Sequence, residues 1–286
     1  MKKHKIILVI IVTLILTSCS SAPRNTGDIF HLRLQAETLL ESANKEASRG
    51  NYNNSLIIVN ESKRYALLCD DSSLIIRTSL TRGNVLYYLG RTDDAFDEWE
   101  QAIKESIKHG DIELLSVSRI YYARGNLLSG RASAQSVLEE VIEESVNITK
   151  DRLYIAFSWQ VRGFALRALD QWEEAESAIN QSLQLHESNR YFENTAYDWY
   201  TIASIRSLSG NFDDAIYALV MSIYYDRRVE NSWGLAASYR AMGDVYHNAE
   251  MHDEAIEAYK RSRAIYDAMG NEYEIFEVDT RLRMYE

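Results

Sequence analysis

Four stretches of this chain, spaced by multiples of about forty residues, can be written over one another: GNVLYYLGRTDDAFDEWEQAI (83–103), GFALRALDQWEEAESAINQSL (163–183), ASIRSLSGNFDDAIYALVMSI (203–223) and GDVYHNAEMHDEAIEAYKRSR (243–263). In each, a small residue is followed twelve positions later by alanine, then four later by a large side chain and three later by another small one. The sets are Gly83, Ala95, Trp99, Ala102; Gly163, Ala175, Ile179, Ser182; Ala203, Ala215, Leu219, Ser222; and Gly243, Ala255, Tyr259, Ser262. A weaker first copy runs Ala43, Ser55, Val59, Ser62, and a third, Gly125, Ala134, Leu138, Val141, reads as having a shortened turn. Small residues let two antiparallel helices approach closely, and the large ones fill the gap to the next pair. One such hairpin cannot bury both of its apolar faces, so the units must stack. The period therefore predicts an all-α solenoid of helix pairs.

These positions resemble the tetratricopeptide repeat family. Trp159 and Trp199 stand four residues before Gly163 and Ala203, where the family has its tryptophan. Gly163, Ala175 and Ser182 match its small positions, and Gly243 with Tyr246 matches its Gly-x-x-Tyr element. The resemblance spans Ala36 to Gly270 and implies a right-handed superhelix: six hairpins over 31–271 and a C-terminal capping helix over 272–286. Two features depart from the family. Pro23 is the only proline, so no repeat has a closing one, and copies lie 38 to 42 residues apart rather than the family's usual 34 or about that. Longer paired helices account for both. The acidic pairs Asp93-Asp94, Glu173-Glu174 and Asp213-Asp214 recur at the start of second helices, where they are expected to cap amides and favour the helix dipole.

The N-terminus predicts a location. Lys2, Lys3 and Lys5 precede an apolar run from Ile6 to Leu16, an export signal shorter than a spanning helix. Its exit, Leu16-Thr17-Ser18-Cys19, resembles the lipobox of bacterial lipoproteins, in which the chain is cut before the cysteine and that residue is acylated. The expected layout is a signal peptide over 1–18 and an acylated N-terminus with tether over 19–30, anchored at Cys19. Ser20 in place of aspartate resembles the outer-membrane default, hence the periplasmic face of that membrane if the source is Gram-negative. An ordinary secretory signal cut near Ser18 or Ser20, or an uncleaved anchor, are the alternatives.

The chain holds 31 Lys+Arg against 42 Asp+Glu, and three of those lysines fall in the leader. An acidic surface without basic clusters argues against nucleic acid as a partner. No catalytic motif is found: His109, His186, His247 and His252 are dispersed, and phosphate loops and GxSxG are absent. Cys69 is expected to be a small buried group. The reading is a non-enzymatic protein that needs no cofactor.

A stacked solenoid offers its inner face to a partner. With Ala36, Ile76, Ser118, Ala156, Ala196 and Ala236 as first positions, position nine reads Asn44, Asn84, Asn126, Phe164, Ser204 and Asp244. Amides there can bond the backbone of an extended ligand or a neighbouring helix. The candidate partner-binding set is Arg77, Asn84, Tyr88, Tyr122, Asn126, Gln160, Arg167, Tyr200, Arg240 and Asp244. Glu98, Glu139 and Glu176 sample the opposite, outward side. The expected function is a membrane-anchored envelope scaffold binding a protein or peptide, in a secretion, pilus, outer-membrane or cell-wall assembly. The alternative is a periplasmic ligand-sensing receptor.

Overall fold

A computed structural model describes residues 28–285. Cys19 and the leader expected over 1–18 lie outside the described residues. Thirteen α-helices follow one another, with no strand among the described residues: α1 (Asp28–Ser48), α2 (Tyr52–Leu68), α3 (Ser72–Tyr88), α4 (Thr92–His109), α5 (Ile112–Leu128), α6 (Ala134–Ser145), α7 (Arg152–Ala168), α8 (Trp172–Ser188), α9 (Phe192–Leu208), α10 (Phe212–Arg228), α11 (Ser232–Asn248), α12 (His252–Ala268) and α13 (Glu272–Leu282). A 3-10 turn follows at Arg283–Tyr285. α1 opens at Asp28, within the stretch expected as tether (19–30).

Most helices are 17 residues long and most turns hold three residues, so the helix pair repeats every forty. Most stops, though not that of α6 at Val146 (φ −64°), are made by a left-handed residue. Gly50, Gly90, Gly210 and Gly270 supply it where the sequence has glycine; Asp70, Asp170, Arg190, Glu230 and Glu250 adopt φ of 50° to 61° where it does not. The next N–H then donates to the carbonyl five residues back, as from Asp71 to Ala66 (3.1 Å), Tyr191 to His186 (2.9 Å) and Met251 to Tyr246 (2.9 Å). This closure ends a helix without proline.

Helix starts are of two kinds. Asp71, Asp111, Asp151, Asn231 and Asn271 each accept a backbone N–H at the opening of α3, α5, α7, α11 and α13. The second helices α4, α8 and α10 open without a side-chain cap. Their acidic pairs stand in the first turn, where they meet the dipole, but the expected capping bonds do not form. Asp94 is instead engaged by Arg91 and Asp93 by Arg131, each at 2.7 Å.

Between helices, small faces large. Trp99 is fully buried and wedged between two glycines: a Cβ on Gly83 would lie 2.3 Å from its Nε1, and one on Gly125 2.2 Å from its Cζ3. Gly163 meets Ile179 and Gly243 meets Tyr259 in the same way, each at 2.5 Å. The last small position holds serine for a reason beyond size. Ser62, Ser222 and Ser262 donate to the carbonyls of Ala36, Ala196 and Ala236 at 2.6, 2.9 and 2.8 Å, tying each second helix to its first.

The third hairpin corrects one expectation. Its turn is not shortened: Ser129–Ser133 lengthens it, and α6 contracts to 12 residues. Ala134 opens that helix half-exposed, while Val137, Leu138 and Val141 are buried. The irregular approach to α7 is held by Glu113, whose Oε1 accepts the N–H groups of Thr149, Lys150 and Asp151 at 3.1, 2.9 and 3.2 Å. Finally, the coil returns on itself. Arg49 donates to the Val229 carbonyl at 3.3 Å, and Gly50 packs on the Trp233 ring. The α1–α2 turn thus touches the α10–α11 turn across the coil.

Candidate functional site

First helices of neighbouring hairpins pack along the inside of the coil, α1 on α3, α3 on α5, α5 on α7, and α9 on α11. Their inward side chains, with Tyr52 brought in by the returning coil, form one tyrosine- and arginine-lined surface. Arg124 on α5 is only 7% exposed; it donates to the Tyr88 hydroxyl at 2.7 Å and to Asn84 Oδ1 at 3.4 Å, both on α3. The Tyr88 ring stacks on Tyr52, centroids 5.0 Å apart, yet remains 45% exposed. Burial, then Tyr88 and Tyr197, push the Tyr52 hydroxyl above its ordinary range, and Glu274 of α13 adds to this from across the coil. Desolvation by crowding neighbours, followed by Tyr88, pushes the Tyr197 hydroxyl upward although 44% of the residue stays exposed. Tyr197 stacks on Tyr200 at 6.5 Å and meets Phe164 edge-on at 6.3 Å.

The expected residues divide. Arg77 lies beside Tyr121 and Tyr154, Arg167 donates to Ser204 at 3.1 Å, and Arg240 pairs with Glu274; with Asn84, Tyr88 and Tyr200 they belong to the inner surface. Two others do not. Tyr122 turns toward α4 and packs edge-on against Phe96 at 5.0 Å; Tyr121, one residue earlier and so about 100° around the helix, takes the inward place against Phe157 at 4.3 Å. Gln160 is buried and donates to Asp198 at 2.6 Å.

Position nine is largely engaged between repeats. Thr81 donates to Asn44 at 3.0 Å, Arg124 to Asn84, Arg167 to Ser204, and Arg281 to Asp244 at 2.9 Å. Asp244 also accepts from the Tyr259 hydroxyl at 2.7 Å. Asn126 is half-buried and makes no side-chain hydrogen bond among the described residues. The asparagine ladder is therefore chiefly a repeat-to-repeat fastening.

A second polar cluster lies in the wall. Asp198, fully buried, receives Gln160 and the Ser182 hydroxyl (3.1 Å) and lies 2.6 Å from His186 Nδ1. Burial raises the Asp198 carboxyl above its ordinary value despite the hydrogen bonds from His186, Gln160 and Ser182. Ser182 and Asp198 both meet Nδ1, and His186 is 1% exposed, so this is a sealed fastening between α8 and α9 rather than an accessible nucleophile. His247 and His252, five residues apart, share Tyr285, whose hydroxyl is 2.7 Å from His247 Nδ1. Among the described residues no cluster of three His, Cys, Asp or Glu could hold a metal ion. The outer surface offers shallow depressions, one of about 300 Å³ beside Trp159, Arg162, Glu173 and Glu174.

Residues 193–268 match the family model described as tetratricopeptide repeat. No curated protein matches the sequence. Among solved structures, the chain resembles a Rap protein complexed with competence and sporulation factor, at 12% identity and TM-score 0.61, over 87% of this chain and 74% of that one. BtubC from P. vanneervenii is similar at 15% identity and TM-score 0.56, covering 82% and 92%. A thermophilic TPR protein of Thermus thermophilus matches at 20% identity and TM-score 0.55, covering 73% and 97%. At these identities the likeness is one of fold: this chain is an all-α, TPR-like helical solenoid.

Proposed function

We propose that this protein is a lipid-anchored interaction scaffold of the bacterial envelope that holds a protein or peptide partner on the inside of its coil. TPR-like solenoids are in general non-enzymatic platforms for protein partners, and a Rap protein of similar fold was captured with its competence and sporulation factor. The observation that carries the reading is the inner surface itself. Tyr88 and Tyr197 remain 45% and 44% exposed, with Arg124 beside both and Arg167 beside Tyr197. Tyrosine and arginine combine contact area with directed donors, the composition of binding hot spots.

Anchoring at Cys19 belongs to the same proposal. Diacylation of that thiol would fix the coil to a membrane, and two chains hold where one is reversible. The test is crosslinking in intact envelopes followed by purification of the full chain. One stable protein joined to inner-face residues supports the scaffold. Native mass spectrometry showing a small ligand and no protein partner would favour the receptor alternative.

A further inference from the structure

We propose that the inner surface selects an acidic segment: an extended peptide whose carboxylates meet Arg77 and Arg167, with the buried Arg124 adding its positive field between them. The inference rests on the concave-binding reading and names the chemistry that reading leaves open.

Three arginines from three successive first helices line this surface, and none has a carboxylate within salt-bridge distance among the described residues. Arg124 is bonded only to the Tyr88 hydroxyl and the Asn84 amide oxygen; Arg167 is bonded only to Ser204. Arg77 stands beside the Tyr121 and Tyr154 phenols. Arg82, Arg119, Arg206, Arg240, Arg263 and Arg281 each hold an acidic partner. Arg49 and Arg227 meet only the Val229 carbonyl and the Tyr239 hydroxyl, so what sets Arg77, Arg124 and Arg167 apart is their alignment along one inner surface.

A charge-starved arginine inside a chain of net charge −11 calls for an account. Burying a guanidinium costs energy that a neutral partner offsets poorly. Arg124 at 7% exposure bears that cost most heavily. The surrounding phenols do not supply the missing charge, since desolvation pushes Tyr121, Tyr154 and Tyr197 upward and leaves them neutral. Asp151 lies near Tyr121 and Tyr154, but its carboxylate is engaged at the start of α7, accepting the Leu153 N–H at 2.9 Å. Toward α11 the surface is balanced, with Arg240 on Glu274 and Asp244 on Arg281. On the inner surface, the arginines without an acidic partner stand on α3, α5 and α7.

The three charges also belong to one continuous surface. Tyr121 senses both Arg77 and Arg124, and Tyr197 senses both Arg124 and Arg167. Spread over three repeats with rings between them, they suit a chain bearing several carboxylates better than one small anion. Arginine forks bind carboxylates in pairs of parallel hydrogen bonds, which fixes register as well as charge.

The experiment uses the full-length protein in neutral detergent and fluorescein-labelled peptides of roughly ten residues, long enough at about 3.3 Å per residue to cross several helices. One alternates glutamate with glycine, one glutamine with glycine, and one lysine with glycine. Fluorescence anisotropy should show the glutamate peptide binding best, with affinity falling as salt is added. Arg77→Gln and Arg167→Gln should each weaken it roughly tenfold, the value of one charge-assisted contact, both still melting cooperatively and Arg167→Gln slightly earlier for its lost bond to Ser204. Glutamate peptide binding no better than glutamine, or binding indifferent to both substitutions, overturns the inference. So does full displacement by millimolar inorganic phosphate, which would mark a small-anion site. If a captured envelope partner crosslinks to Tyr88 or Tyr197 through an uncharged segment, the concave reading survives and the acidic one fails.

Discussion

Gly83→Ala puts a methyl group where Trp99 already is. The added carbon would lie 2.3 Å from the indole Nε1, nearer than unbonded atoms approach. Trp99 cannot swing aside. Its far edge is 2.2 Å from the equivalent point on Gly125, Phe96 and Tyr87 flank it at 5.3 and 6.1 Å, and its N–H points to the Leu80 carbonyl at 3.4 Å. Overpacking of this kind costs about 1–3 kcal/mol, while alanine for glycine inside a helix returns about 1 kcal/mol. A net loss of up to about 2 kcal/mol should lower the thermal midpoint by up to roughly 8 °C. Gly125→Ala presses on the other edge of the same ring, so the pair should not add. Trp99→Leu alone should cost about 2–4 kcal/mol through the space it leaves, and adding both alanines should recover part of that, with a coupling of about 0.5–3 kcal/mol. Thermal and urea unfolding of the cycle measure each term. A Gly83→Ala protein as stable as wild type or more so, with no coupling to position 99, would refute the wedge.

Asp226, buried and bonded by Asn231 at 2.9 Å, is raised from 3.8 to about 7, first by burial and further by Glu193, against the Asn231 hydrogen bond. The folded state then keeps a proton that the unfolded state has lost, so this group's contribution falls as pH rises from about 4 to 7 and is level above. Asp226→Asn should remove that slope and stabilise the protein by about 1–3 kcal/mol at about pH 8; urea midpoints with the same pH dependence in both proteins would contradict it. Arg190→Gly should gain about 0.5–1 kcal/mol by relieving a left-handed arginine at φ 61°, and a lower thermal midpoint would contradict it. Cys19→Ser should abolish incorporation of labelled palmitate, because serine lacks the thiol; equal labelling of the two proteins would sink the anchor.

The architecture was legible because its cause is periodic. Gly83, Gly163 and Gly243 each stand sixteen residues before the large side chain they meet, and a constant spacing can be read without coordinates. Helix ends were less legible, since a left-handed Asp170 or Arg190 carries no sign in its residue type. The inner surface was half legible. Arg77, Tyr88, Arg167 and Arg240 follow from helical register, whereas Tyr121 and Tyr122 differ by one position and only packing on Phe96 decides between them. Tyr52 was out of reach for another reason. It sits on a second helix and joins the surface because the coil returns on itself through Arg49 and Val229, a contact 180 residues apart. Glu98 and Glu176 likewise bridge helices, to Lys63 at 2.7 Å and Arg206 at 2.7 Å, and do not stand free on the outside. Tyr217 and Tyr224, 55% and 54% exposed on α10, are better markers of the convex side.

The central claim is that the inside of the coil is the working surface. A photoreactive phenylalanine analogue placed in turn at Tyr88, Tyr197, Tyr217 and Tyr224 of the full-length protein, irradiated in intact envelopes, tests it most directly. Adducts of one discrete mass from Tyr88 and Tyr197, and none from Tyr217 or Tyr224, are the predicted result. Adducts from Tyr217 and Tyr224 alone would contradict it and move recognition to the convex face.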